Sequence, residues 1–242
     1  MTVPAYLPFS VLIAATAVIA TILIGLNRAL SRADWPAQER IRTVGTVTVV
    51  LGVWFAGAIV LSLMDTFQTG PDAIPTLQYG IVLPILIGGV LIWRSPQVAR
   101  IIDAVPQFWL VGVQLYRAVG VLFLILYASG KLPGLFAWPA GIGDILVGVL
   151  APFVAFAYAR NPAKNGDLVA AWNWFGIGDL VIAVATGFIS APSLLQPFAV
   201  EPPNLLISLF PLVLVPIFLV PLSILLHIAS LTKLRRAAAA VP

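Results

Sequence analysis

Seven apolar runs, at about 6–30, 43–67, 74–93, 107–129, 138–158, 168–189 and 205–231, leave this chain one kind of fold. They are 20 to 27 residues long, and a helix needs roughly 20 to cross a hydrocarbon core. In lipid the backbone must satisfy its own N–H and C=O groups, which a helix does internally. Only 9% of the 242 residues are charged and 61% are apolar, against roughly 25% charged in a soluble domain. Too few charges remain to cover a water-facing surface. The expected fold is therefore all-α, a polytopic membrane protein with seven transmembrane helices in one domain over residues 1–242.

The connections are short and carry boundary signals. The first ten residues contain no basic side chain, so they lack the positive region of a cleaved signal peptide and read as the start of a retained helix. Asp34 or Trp35 is the expected N-cap of the second helix, with Pro36 in its first turn. Asp65 and residues 68–72 form a turn, and Asp65 reads as a solvated boundary residue. Pro84 lies mid-span as an expected kink. After Arg94, Ser95 can cap a short helix over 97–104 whose Val98, Ile101 and Ile102 form an apolar face suited to the membrane interface. Pro139 sits in the expected first turn of the fifth span. In the seventh, Pro211, Pro216 and Pro221 recur every five residues and free the carbonyls of Ile207, Leu212 and Ile217. Such a helix either curves in packing or lines a cavity.

Three charges fall inside the apolar runs: Arg117, Asp144 and Asp179. A charge at mid-bilayer costs roughly 2.5–3.5 kcal/mol on insertion scales, so the simplest arrangement pairs the arginine with the aspartates. Arg117 and Asp179 lie near the middle of their spans, and Asp144 in the outer third of its own. The sum is −1 if all three are ionised, which leaves place for one proton. Gln114 stands one turn before Arg117 on the same face, with Tyr116 adjacent and Asn173 six residues before Asp179. Each aspartate closes a Gly-Ile-Gly-Asp tetrapeptide, at 141–144 and 176–179. The glycines either let helices approach closely or expose backbone to a substrate. His227, with Ser223 and Ser230 a turn to either side, reads as a packing or interfacial residue.

The absence of cysteine excludes disulfides, thiolate metal sites and cysteine nucleophiles, and the single histidine excludes a multi-histidine centre. No lysine stands in the seventh span to form a retinal Schiff base. No catalytic residue, metal or other cofactor is expected. The favoured function is transport or conduction of a small solute or ion, proton-coupled, through Arg117, Asp144, Asp179, Gln114, Asn173 and Tyr116. Asp179, the deepest, is the first choice for the protonatable group. The alternatives are a ligand-binding membrane receptor or sensor, or a membrane-embedded enzyme acting on a lipid-like substrate. Expected partners are membrane lipids and the small solute or ion, with no nucleic acid; a homo-oligomer is left open.

Basic residues fix the expected orientation. The connections after spans one, three and five, with the tail, hold eleven of the thirteen, and the opposite side holds only Lys131. The positive-inside rule puts the N-terminus outside and the C-terminus in the cytoplasm of a bacterial-type inner membrane. Because the chain has no native cysteine, single-cysteine labelling is clean. An impermeant reagent outside the cell should label Gly70→Cys and spare Ala163→Cys; the reverse pattern overturns the topology.

Overall fold

The computed structural model describes residues 3–194 and 196–239; Met1, Thr2, Leu195 and residues 240–242 lie outside them. Among the described residues there is no strand, and seven helices are long and apolar enough to cross a membrane. The first three spans are α1 (Tyr6–Arg32), α2 (Ala37–Leu63) and α3 (Leu77–Arg94), followed by the short α4 (Pro96–Ala104). The fourth span is composite: α5 (Gln107–Gly112), a 3₁₀ segment (Val113–Gly120) and α6 (Val121–Ala128). α7 (Gly134–Arg160) and α8 (Pro162–Ser190) follow, then a π turn (Val215–Leu219) that runs into α9 (Val220–Ala239).

Helix ends follow local chemistry. α1 closes on Asp34 at φ 53° and α2 on Asp65 at φ 58°, both in the left-handed region. The Trp35 N–H returns to the Leu30 carbonyl at 3.1 Å and the Thr66 N–H to that of Leu61 at 3.2 Å. These are the bonds that close a helix C-terminus around a left-handed residue. Asp34 therefore ends α1 and does not cap α2, whose N-cap is Pro36. Ser95 caps α4 by accepting from the Val98 N–H at 3.3 Å. α7 starts at Gly134, directly after Pro133, so Pro139 falls inside the helix and not in its first turn. The seventh helix starts at Val215 and not near Leu205, because Pro211 and Pro216 cannot donate to an α ladder there. Residues 206–208 make a short 3₁₀ turn instead, and the Leu212 carbonyl accepts from the Val215 N–H at 2.9 Å.

The seventh span is the axis: 72% of its apolar window is buried, against 39% or less in the other six. It packs on α3, α5 and α8, and α7 lies against α8 and the whole fourth span. α2, with 11% of its window buried, is the most peripheral. At one end of the bundle the Arg100 guanidinium meets the Glu39 carboxylate at 3.0 Å and lies over the Trp35 ring. There Lys233 Nζ also donates to the Asp103 carbonyl at 2.7 Å. The first connection, α4 and the tail thus share one end.

The 3₁₀ segment runs for eight residues, where runs beyond three or four are uncommon. Backbone contact with α7 holds it. A Cβ on Gly148 would collide with the Ala118 nitrogen and lie 3.0 Å from the Arg117 carbonyl carbon; one on Gly141 would lie 3.3 Å from the Gly120 oxygen. Seven residues apart, these glycines occupy one face of α7 and let it lie directly on the 3₁₀ backbone. Gly148→Ala should destabilise by about 1–3 kcal/mol through overpacking. Gly45→Ala, whose new methyl meets no atom within 4 Å, should be neutral or slightly stabilising. Thermal unfolding in detergent measures both.

Candidate functional site

Arg117 is the hub of a buried polar network. It is the eleventh of 22 residues in its span (107–128), and its side chain is 2% exposed. Nε donates to Asp144 Oδ1 at 2.7 Å, and Nη2 to Asp179 Oδ2. Nη1 donates to the Gly176 carbonyl and meets His227 Nε2, both at 3.2 Å. Four contacts from three helices, α7, α8 and α9, thus converge on one side chain. A planar guanidinium with five N–H groups can hold this many directions; a lysine ammonium has three donors and no fixed fork.

The contact with His227 decides its tautomer. An arginine N–H only donates, so Nε2 offers its lone pair and the proton sits on Nδ1. Nδ1–H then donates to Asn173 Oδ1 at 2.9 Å. The Asn173 amide nitrogen in turn donates to the Val169 carbonyl and to Ser230 Oγ, both at 2.8 Å. Gln107 Nε2 donates to the same Ser230 hydroxyl at 2.6 Å. The bonds form one consistent set around a neutral imidazole. They run from mid-bundle to the end where the fourth span begins.

A second branch joins the fourth and seventh spans. Gln114 Nε2 donates to the Ser223 carbonyl, and Ser223 Oγ donates back to Gln114 Oε1, both at 3.1 Å. The Tyr116 hydroxyl lies between Ser223 Oγ and the Leu219 carbonyl, 3.1 Å from the latter.

The six residues singled out in the sequence fall in two neighbouring hydrogen-bonded sets, Arg117, Asp144, Asp179 and Asn173 in one and Gln114 and Tyr116 in the other. Arg117 touches both aspartates. Gln114 and Tyr116 reach Ser223, and Asn173 reaches Arg117 through His227 without touching Asp179. Because α7 begins early, Asp144 is the eleventh of its 27 residues, nearer mid-span than the outer third. His227, with Ser223 and Ser230 beside it, reads from the sequence as a packing or interfacial residue and instead bonds Arg117 and Asn173; Gln107 is a further member that the sequence alone does not single out. Their signal was spacing: Ser223, His227 and Ser230 are four and three apart on one helical face, and Gln107 and Gln114 are seven apart.

Glycine makes the convergence fit. A Cβ on Gly120 would collide with Asp144, one on Gly143 with Asp179, and one on Gly176 would lie 2.5 Å from the His227 ring and 3.2 Å from Arg117 Nη1. The two tetrapeptides differ in use: the second glycine of one seats a carboxylate, and the first glycine of the other seats the histidine and arginine.

A cavity of about 40 Å³ adjoins the network. Arg117, Asp144, Tyr116 and Ser223 form its polar wall, and Asp179 does not line it. Its apolar wall includes Val11 and Ala14 of α1, Phe123, Leu180 and Leu212. All of these lie toward the end of the bundle where α1 begins. The Asp144 side chain is 14% exposed, against 7% for Asp179.

Residues 74–235 match the family described as Domain of unknown function (DUF8737), and the chain belongs to that family. The match spans α3 to α9 and so includes every residue of the network; α1 and α2 lie outside it. Comparison with curated proteins and with solved structures finds no match.

Arg117→Leu leaves two buried carboxylates without their cation and should cost about 3–5 kcal/mol. Adding Asp144→Asn and Asp179→Asn should recover part of that loss. Arg117→Lys should fall between wild type and Arg117→Leu. Denaturant unfolding in micelles measures the series; a triple variant no more stable than Arg117→Leu would show that the ion pairs do not carry the coupling.

Proposed function

We propose that the chain moves a proton or a small monovalent cation across a membrane, with Asp144 as the exchanging carboxylate. The observation that carries this reading is a charge count beside a cavity. One guanidinium faces two carboxylates and a neutral imidazole, so the ionised site holds −1, and the more exposed carboxylate lines the cavity. At about 40 Å³ the cavity holds on the order of one to three waters, far below the roughly 300 Å³ where drug-sized ligand sites begin. That size favours a proton or a dehydrated cation over a larger solute. Asp144 replaces Asp179 as the first choice because it meets the cavity. Arg117, with four directions already satisfied, holds the carboxylates in place and is not available to an anionic substrate group.

The orientation belongs to the same proposal: N-terminus outside, C-terminus in the cytoplasm of a bacterial-type inner membrane. Its support is the clustering of the first connection, α4 and the tail, which carry most of the basic residues, at one end of the bundle. The cavity then faces the outside, and the chain from His227 to Gln107 fills the inner half.

A second reading, a fixed ion-pair lock with no transport, is favoured by the number of bonds on Arg117. Flux separates the two. In proteoliposomes a pH gradient should drive proton or monovalent-cation movement, and Asp144→Asn should remove the pH-driven component with the melting temperature kept within a few degrees. Asp179→Asn should lower stability more than Asp144→Asn. Absence of flux for protons and for a panel of monovalent cations, with the protein folded, leaves the lock.

A further inference from the structure

Outside the network, a cleft opens between α2 and α3. The two helices stand apart, and the seventh span forms the floor. One chamber, of about 480 Å³, lies between Val53–Leu61 of α2 and Tyr79–Pro84 of α3. A second, of about 320 Å³, lies between Val47 and Val50 of α2 and Gly88, Leu91 and Ile92 of α3, with α4 at its end. From Val47 to Leu61 the cleft follows 15 residues of α2, about 21 Å from first to last at 1.5 Å rise per residue. That is longer than one leaflet of a roughly 30 Å hydrocarbon core.

The cleft is mostly apolar, with Thr66, Thr76 and Tyr79 at one end, and the face of α2 that lines it turns polar where that helix begins. Arg40, Thr43, Val47 and Val50 follow at spacings of three, four and three, which is one helical stripe. Thr43 is 3% exposed, and its hydroxyl has no hydrogen-bond partner. Thr46 and Thr48 of the same helix each donate to the carbonyl four residues back, at 2.9 and 2.8 Å. Arg40 Nε is buried and also without a partner. Buried donors are rarely left open. Neither side chain lines the two chambers; both continue the stripe of Val47 and Val50 beyond the lined part of the groove, which is the length of an acyl chain. Around that end lie the exposed Arg42 and Arg94, the latter stacked 4.2 Å above Trp93, an aromatic suited to headgroup depth.

We propose that this cleft binds an anionic phospholipid, with an acyl chain along the cleft between α2 and α3 and the phosphate at Arg40 and Thr43. The combination selects the occupant. An apolar groove alone would take any lipid tail, whereas a guanidinium and an open hydroxyl at its end select an acidic phosphate. A second copy of the chain fits poorly, since a two-fold contact through this face would set one basic rim against another.

Native mass spectrometry of the full chain, titrated with phosphatidylglycerol and phosphatidylcholine in mixed micelles, tests this. Wild type should retain phosphatidylglycerol in preference to phosphatidylcholine, and Arg40→Gln should reduce that preference about fivefold, the factor for one basic residue near a lipid surface. Gly57 lines the cleft, and a Cβ there meets no atom within 4 Å. Gly57→Trp should therefore fill the cleft and weaken binding of both lipids without lowering the melting temperature. Gly45→Trp, outside the cleft, should leave binding unchanged. Equal retention of the two lipids by wild type, an unchanged preference in Arg40→Gln, or undiminished binding in Gly57→Trp would each overturn the proposal. So would a chain-to-chain disulfide in Gly57→Cys, which would assign the cleft to a second copy.

Discussion

A guanidinium held in the middle of an apolar bundle sets the terms for the helices around it. Arg117 cannot be left bare there, because an isolated charge in a low-dielectric interior is strongly disfavoured. The remedy is many short, directed bonds. The acceptors are carried by three neighbouring helices, and each helix must come close enough to deliver its own. α7 brings Asp144, α8 brings Asp179 and the Gly176 carbonyl, and α9 brings His227. This requirement accounts for the contact of α7 with the backbone of the fourth span at Gly148, and for the burial of the seventh span at the centre.

The repeated Gly-Ile-Gly-Asp tetrapeptide gains a physical meaning from that arrangement. The charges and their glycine seats alternate between helices. Gly120 of the fourth span receives Asp144 of α7, Gly143 of α7 receives Asp179 of α8, and Gly176 of α8 receives the histidine of α9 and the arginine of the fourth span. A helix that offers a carboxylate to one neighbour must have no side chain where the next carboxylate arrives. A glycine one residue before the aspartate, as at Gly143, or three before, as at Gly176, meets that need on different sides of a helix. The tetrapeptide is therefore two uses of the same local solution and not evidence of two equivalent sites.

The apolar runs were readable in the sequence because a helix able to cross a hydrocarbon core needs a length and composition that any such run displays directly. The pairing of Arg117 with the aspartates was readable because a charge inside an apolar run has few alternatives to a partner of opposite sign. What depends on neighbours was not. The ten residues from Leu205 to Leu214 are as apolar as a span, and composition does not separate a buried turn from a helix; only the prolines at 211 and 216 mark the later start. His227 reads from the sequence as a packing or interfacial residue because a lone histidine on an apolar helix has no intrinsic partner. Its importance comes from Arg117 and Asn173, which lie 110 and 54 residues away in the chain. The hydroxyls of Ser223 and Ser230 on the same face were the available clue.

The irregular fourth span was also hidden, because 3₁₀ geometry over Val113–Gly120 is imposed by packing and not by propensity. Its consequence for the site follows from the number of residues per turn. With three per turn, Gln114, Arg117 and Gly120 fall in one line. With 3.6 they would spread over an arc of about 120°. Gln114 must reach the Ser223 backbone while Arg117 reaches the carboxylates and Gly120 clears a space for Asp144. An α-helix through the same residues would turn at least one of these away from its partner. The Tyr116 hydroxyl then ties this segment to Leu219, the last residue of the π turn in the seventh span. Two non-α segments therefore face each other across the cavity that meets Asp144. Such segments recur at functional sites within helices, and this pair joins the two spans that carry Arg117 and His227.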